Sequence, residues 1–561
     1  MEARLHKHII MVPFMAQGHL PPFLELAYRI LHHNPIFTIT IVNTPLNINY
    51  LRSAIAKNPS PPPQIHLKSL PFTSSDHGLP PNSENTSGLS FTQINKLFHA
   101  STALEAPMRQ FISDLIADEG SPPVCIISDV FMGWANEVAR SFGTLSYMFS
   151  TSGAYGIAAF SSFCMNLPHR NIVNGGTHDE FLLPGFPESF RFSIMLLHPY
   201  YRAVDGTDDW STYFLPQISH ALQSDGWLCY TVEEVETTGC EALRNFIKLP
   251  LWCTGPLLPS NMLKKNSGMD PGSGILGQRS EKQSTIRPEQ CIEFLDAQPQ
   301  RSVLYVSFGS QNTISENQMM ELAKGLEESK KPFIWVIRPP IGFDLKSEFR
   351  PEWLPMGFED RIRNRGLLVH NWAPQLEILC HESIGVFLSH CGWNSVMESL
   401  SQGVPMIGWP LAAEQGLNAK MLVEEMGVCV VLTSGVESRI GKEEVKKVVE
   451  VVMDKNEVGK GNDMRKKASE LRSLIRASIE DSSYKAMHDF VLVCNGRPNA
   501  SSTIGQLGVC AWVYDASCLT FLICGPENLE TKHESFSSAS KPKELGWWSD
   551  FDLSDLCMIG L

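Results

Sequence analysis

A chain of 561 residues is too long for one hydrophobic core, which stops growing at roughly 250–300 residues, so at least two domains of about 200–250 residues are expected. Hydrophobic residues make up 43 % and the net charge is −14, a balance that fits an ordinary globular chain and disfavours general binding to phosphate backbones, although backbone N–H groups can still build one local anion site. The 14 cysteines are scattered without a CxxC pair, the first apolar run is too short for a signal-peptide core, and no stretch reaches the ~18 uninterrupted apolar residues of a membrane span, so a cytoplasmic chain with reduced thiols and no nucleic-acid partner is expected.

The chain opens as strand, turn and helix. Residues 9–12 form a continuous apolar run, as expected for a strand covered on both faces. A turn at 16–18 leads into helical spacing over 23–31. Further strands are expected at 38–42 and 124–127, the latter followed by an amphipathic helix at 134–141. From residue 254 the composition turns to Gly, Pro, Ser and Lys without a hydrophobic period, which reads as a linker over 254–300. The alternation then resumes, with strands at 302–308, 333–337, 367–369, 385–388 and 405–409 and helices at 316–329 and 443–453. Two successive α/β units, 1–253 and 301–476, predict two Rossmann-like domains facing across a cleft. A last helix closes residues 477–493. Residues 494–561 hold five of the cysteines and no clear period, and read as an irregular, disordered tail.

The strongest motif spans residues 372–415. Its strand at 385–390 ends in polar residues, and 391–395 is a tight turn that opens a helix. Asn394 or Ser395 is expected as the N-cap, with Glu398 completing a capping box. A glycine-bearing turn at a helix N-terminus is an anion site, where the dipole stabilises a negative ligand by up to ~2 kcal/mol. His390 and the Ser395 hydroxyl add donors there, a constellation that fits a diphosphate leaving group held without a metal. His19 follows the first strand and Asp129 follows the strand at 124–128, both at carboxyl ends where such sheets bind ligands. A lone His beside a glycine turn is usually structural, and it is the neighbouring box that turns the reading towards chemistry.

Over its 44 residues this segment resembles, without a gap, the signature box of plant secondary-product UDP-glycosyltransferases (glycosyltransferase family 1). The resemblance extends from about residue 7 to 493. It implies the GT-B fold, with the acceptor held by the first domain, the donor by the second, and the last helix packed back on the first. It implies that Trp372 stacks on uracil, that Ala373 and Gln375 contact uracil or ribose, and that Glu398 accepts the ribose hydroxyls. His390, Asn394, Ser395 and Ser310 would hold the diphosphate, and Trp393, Glu414 and Gln415 the sugar, with Thr151 as a further sugar contact. His19 would be the general base and Asp129 its partner. The implied reaction is inverting transfer of a hexose, glucose by the Gln415 rule of the family, to a hydroxyl or carboxyl of a small lipophilic acceptor. The UDP-sugar is a co-substrate, with no further cofactor and no metal, and a monomer is expected. Two rivals stay open: a non-catalytic binder of a lipophilic small molecule, and another GT-B enzyme such as a nucleotide-sugar epimerase.

Overall fold

The computed structural model describes residues 7–58, 60–171, 180–263, 286–345, 347–496, 514–515 and 518–519. The chain divides into two units, residues 1–499 and 500–561. In the second, Tyr514–Asp515 and Cys518–Leu519 form a short antiparallel pair. The rest of the expected tail beyond residue 496 lies outside the described residues.

The first sheet is built from β1 (Lys7–Val12), β2 (Phe37–Asn43), β3 (Ile65–Ser69), β4 (Cys125–Asp129) and β5 (Leu145–Ser150). After a small antiparallel pair, β6 (Glu180–Phe181) and β7 (Phe192–Ser193), it is completed by β8 (Gly226–Cys229) and β9 (Leu251–Cys253). The order is β3-β2-β1-β4-β5-β8-β9, with all pairings parallel. Ile9, Ile10 and Met11 of β1 are wholly buried, as both faces of a parallel sheet demand. The helix Leu20–His33 starts on two prolines, whose missing N–H groups cost nothing in a first turn, and buries Phe23, Leu26, Ala27 and Ile30 at helical spacing.

The second sheet comprises β10 (Val303–Ser307), β11 (Phe333–Ile337), β12 (Gly366–His370), β13 (Ile384–Ser389), β14 (Met406–Gly408) and β15 (Cys429–Val431). Its order is β12-β11-β10-β13-β14-β15, again all parallel. The helix Glu316–Ser329 begins at the expected residue because Ser315 and Gln318 form a reciprocal capping box. A helix at Pro288–Asp296, with Cys291 and Leu295 buried, falls inside the stretch read as linker.

The last helix, Ser482–Gly496, runs three residues past its expected end. It lies against Leu20–His33 and β9. Phe490 meets the rings of Tyr147 and Trp252, and the Asn495 carbonyl accepts Lys7 Nζ at 2.9 Å. Among the described residues, no helix is long and apolar enough to cross a membrane.

Both sheets reverse their strand order at one place. In the first, β1 and β4 are neighbours whose following loops diverge, and in the second, β10 and β13 stand in the same relation. A crevice opens beyond the carboxyl ends at such a point. The sequence places His19 and Asp129 at the first crevice, and Ser310 and His390 at the second.

Candidate active site

His19 sits at the N-cap of Leu20–His33. Its Nδ1 lies 2.6 Å from Asp129 Oδ2 and 3.0 Å from Thr151 Oγ1. Asp129 is wholly buried, and its other oxygen accepts the Phe131 N–H at 3.0 Å, which fixes the carboxylate plane. With Nδ1 facing a carboxylate, the ring nitrogen left for the cleft is Nε2. The rings of Phe14 and Phe131 flank the imidazole at 5.5 and 5.7 Å. Thr151 thus meets the imidazole rather than standing apart as a sugar contact alone.

In the second domain the helix Trp393–Ser401 is preceded by Gly392 as N-cap, with no side-chain cap. The expectation of an Asn394 or Ser395 cap and a Glu398 capping box is therefore corrected. The helix begins two to three residues earlier, with Gly392 extended as its N-cap, and the three side chains are engaged elsewhere. Asn394 Nδ2 donates to the Gly18 carbonyl at 2.8 Å. Gln375 Nε2 donates to Ser395 Oγ at 3.0 Å and to Glu398 Oε2 at 2.6 Å, and Gln375 Oε1 accepts the Tyr305 hydroxyl at 3.2 Å. Among the described residues the first-turn N–H groups are thereby left without a side-chain cap, which is what an anion-binding helix end requires.

His390 is buried beside this helix end, and its Nδ1 has no hydrogen-bond partner among the described residues. Burial, with the nearby Arg338 guanidinium, pushes its pKa down to about 4, so at neutral pH it is an uncharged donor. Gly309, at φ +76°, makes room for it, because a Cβ there would stand 2.6 Å from His390 Nε2. Three non-glycine residues in or next to the box also adopt left-handed backbone: Asn371 (φ 67°), Cys391 (φ 63°) and Ala413 (φ 50°). Each precedes or follows an expected donor contact, Trp372, His390 and Glu414, and such conformations, at about 1–3 kcal/mol each, concentrate at binding sites.

Glu414 Oε1 accepts Ser152 Oγ across the cleft at 3.3 Å. Gln415 Oε1 accepts the N–H groups of Leu411 and Ala412, both at 2.9 Å, which commits its carbonyl to its own loop and leaves its NH2 without a partner among the described residues. Trp393 donates its indole N–H to the Tyr230 carbonyl at 2.5 Å, a further bond between the domains. Trp372, Ala373 and Ser310 line the same cleft.

The cleft encloses about 890 Å³ and draws its walls from both sheets. Its first-domain part is aromatic. Phe14 stacks on Phe98 at 4.3 Å, Phe91 on His198 at 4.3 Å and on Tyr200 at 4.2 Å, and Trp210 on Phe214 at 5.3 Å. Burial pushes His198 down to about 4, so its ring is neutral at neutral pH. Sequence reasoning did not single out Trp210 and Phe214, which stand four residues apart on the helix Asp209–Ala221 and so share a face.

It also missed Arg338. This residue follows β11 directly, lines the cleft, and is 8 % exposed. Its Nε donates to the Asn371 carbonyl at 3.0 Å, and its Nη1 has no partner among the described residues. Burial pushes its pKa down to about 10, so it remains a cation. A charged residue directly after a five-residue apolar strand was the available signal. Among the described residues, no group of three or more His, Cys, Asp or Glu side chains gathers as a metal site.

Residues 7–186 match the glycosyltransferase N-terminal domain family, and residues 274–471 match the family described as UDP-glucoronosyl and UDP-glucosyl transferase. The chain is 42 % identical over 481 residues to UDP-glycosyltransferase 92A1 of Arabidopsis thaliana, covering 84 % of this chain and 93 % of the relative. It is 44 % identical over 455 residues to crocetin glucosyltransferase 3 of Crocus sativus, covering 80 % and 91 %. Among solved structures, a UDP-glucosyltransferase from Polygonum tinctorium capable of glucosylating indoxyl superposes with a TM-score of 0.71 at 28 % identity, over 88 % of this chain and 99 % of that one. Medicago truncatula UGT71G1 complexed with UDP-glucose superposes with a TM-score of 0.70 at 25 % identity, over 88 % and 100 %. With two parallel-sheet domains, a cleft at the paired switch points and these relatives, the chain belongs to the plant UDP-glycosyltransferases of GT-B fold, enzymes that transfer a glycosyl group from a UDP-sugar to an acceptor.

Proposed function

We propose that the enzyme transfers glucose, with inversion, from UDP-glucose to a hydroxyl or carboxyl of a small lipophilic acceptor, using His19 as base and Asp129 as its partner. The observation that carries this reading is the 2.6 Å His19–Asp129 contact opening on an aromatic wall. His19 Nε2 takes the acceptor proton while the acceptor oxygen attacks the anomeric carbon. The bond from that carbon to the UDP oxygen breaks on the opposite face, and UDP leaves with the electron pair. Asp129 holds the imidazole by Nδ1 and stabilises the imidazolium that forms. An acceptor that is already a carboxylate has no proton to give and relies on His19 for position only.

On the donor side, Trp372 stacks on uracil, Ala373 and Gln375 contact uracil or ribose, and Glu398 accepts the ribose hydroxyls. Ser310, His390, Asn394, Ser395 and the open helix end hold the diphosphate. To these we add Arg338, whose buried charge suits a dianion. Trp393 contributes backbone or ring rather than its engaged indole N–H, while Glu414 accepts from the sugar hydroxyls and the Gln415 NH2 donates to them. These donors neutralise the leaving group without a metal, so transfer should persist in excess chelator, and loss of activity that Mg²⁺ restores would remove this part of the reading. Both halves of the cleft come from one chain, and we propose a monomer working in the cytoplasm.

Mass spectrometry of phenols, terpenoids and hormone-like acids incubated with UDP-glucose should reveal acceptors gaining one hexose, with UDP released in step and a β-linkage by NMR. An α-linked product, or binding of acceptors without UDP release, would refute the proposal. UDP-glucose should be used at least about tenfold better than UDP-galactose by kcat/KM, because a misplaced hydroxyl leaves a buried partner unpaired, ~1.4 kcal/mol or more. Gln415→Asn should erode that preference more than it weakens UDP binding, and an unchanged ratio would exclude Gln415 from the choice of sugar.

A further inference from the structure

The turn between β5 and the helix Ala154–Asn166 touches both halves of the proposed site. Thr151 Oγ1 reaches His19 Nδ1, and Ser152 Oγ reaches Glu414 Oε1. The helix that follows carries Ile157 and Phe160 into the cleft wall. Its N-cap residue is Gly153, which has no side chain to cap with. A distant carboxylate does this instead. Glu236 Oε2 accepts the Ala154 N–H and Oε1 the Tyr155 N–H, both at 3.0 Å, and the Thr231 hydroxyl also donates to Oε2.

Gly153 is glycine for want of space, not for backbone freedom. A Cβ there would stand 2.6 Å from Glu236 Oε2 and 2.8 Å from Trp393 Cε2. The segment bearing Glu236 is anchored in turn at the same place. The Tyr230 N–H donates to the Ser150 carbonyl at 2.9 Å, and the Tyr230 carbonyl accepts the Trp393 indole N–H. Glu236 is 2 % exposed, and burial pushes its carboxyl up to about 7 against the pull of its three donors. A carboxyl kept in so unfavourable a setting, aimed at two N–H groups of a helix start, is a device for fixing that start.

We propose that Glu236 is a positioning residue for glycosyl transfer, clamping the 151–155 turn so that Thr151 holds the His19 imidazole and Ser152 holds Glu414. The inference rests on His19 being the base. Glu236 acts only through the turn, so its removal should lower turnover without touching UDP binding. Glu236→Gln keeps the volume but turns one acceptor into a donor that faces an N–H.

The test is a double-mutant cycle on the full chain, reading kcat at saturating UDP-glucose and UDP affinity by calorimetry. Glu236→Gln and Thr151→Val should each lower kcat by about tenfold, with the UDP Kd held within about twofold, and the double variant should fall no more than about twofold further. Thr151→Ser, which keeps the hydroxyl, should restore kcat to within about twofold of the parent. Thr231→Val removes one donor to Glu236 without entering the turn and runs the same cycle if Glu236→Gln does not fold. Losses that multiply to about a hundredfold, or a UDP Kd that rises as kcat falls, would overturn the proposal while leaving the base intact. Undiminished kcat in His19→Ala would overturn both.

Discussion

His19→Ala should lower kcat by about 10²–10⁴-fold, the range for loss of one positioned general base, while leaving the UDP Kd unchanged. The magnitude follows from the surroundings of the imidazole. Asp129 is buried with one oxygen held by the Phe131 N–H and the other on His19 Nδ1. That geometry fixes the tautomer and leaves Nε2 to receive a proton. The Phe14 and Phe131 rings stand beside the imidazole and offer no other proton acceptor there. UDP affinity should hold because the expected diphosphate and uracil contacts all lie on the second domain. The loss should shrink for an acceptor that is ionised before it binds, since its proton is already gone. Steady-state rates on a weakly acidic phenol and on a strongly acidic one, measured side by side, test both statements. Equal turnover of parent and variant on the weak acid would remove His19 from the mechanism.

The strands with long apolar runs and the box were legible in the sequence for a simple reason. A parallel strand covered on both faces must be apolar throughout, so β1, β11 and β13 announce themselves as runs. The strands that escaped notice lack that mark. β5, with the sequence LSYMFS, is buried but broken by serines, β3, with the sequence IHLKS, is an edge strand with exposed polar positions, β8 and β15 have four and three residues, and β9 is the three-residue LWC at the far edge. Of the site, the residues adjoining strand ends could be read because topology alone delivers them to the crevice. Partnerships could not. Nothing in the spacing says that Ser395 and Glu398 share Gln375 as a donor, or that Glu236 caps a helix that begins 82 residues earlier in the chain. The N-cap expectation failed for the same cause, since capping rules are local and Asn394 had been recruited across the cleft, Ser395 and Glu398 by Gln375.

Trp372→Ala should weaken UDP binding by about 5–150-fold, the equivalent of the ~1–3 kcal/mol that an aromatic ring contributes by stacking on a base. The indole follows β12 at the edge of the second sheet and is held by its backbone rather than by its side chain. The Trp372 N–H donates to the His370 carbonyl at 2.8 Å, and the Asn371 N–H donates to the Ile337 carbonyl at 3.0 Å. The Asn371 carbonyl accepts Arg338 Nε, and Asn371 itself occupies the left-handed region. The loop geometry is therefore set without the indole, and the ring is half-buried on the cleft rather than part of either core. Removing it should leave the melting temperature close to that of the parent. It should raise the KM for UDP-glucose by a factor similar to the rise in UDP Kd, and leave kcat at saturating donor nearly unchanged, because uracil lies far from the bond that breaks and its binding is the same in ground and transition states. Calorimetry with UDP and with uridine separates the base from the phosphates: both ligands should weaken by the same factor in Trp372→Ala. An unchanged UDP Kd would discard the stacking assignment, and a loss confined to UDP with uridine unaffected would move Trp372 from the base to the diphosphate.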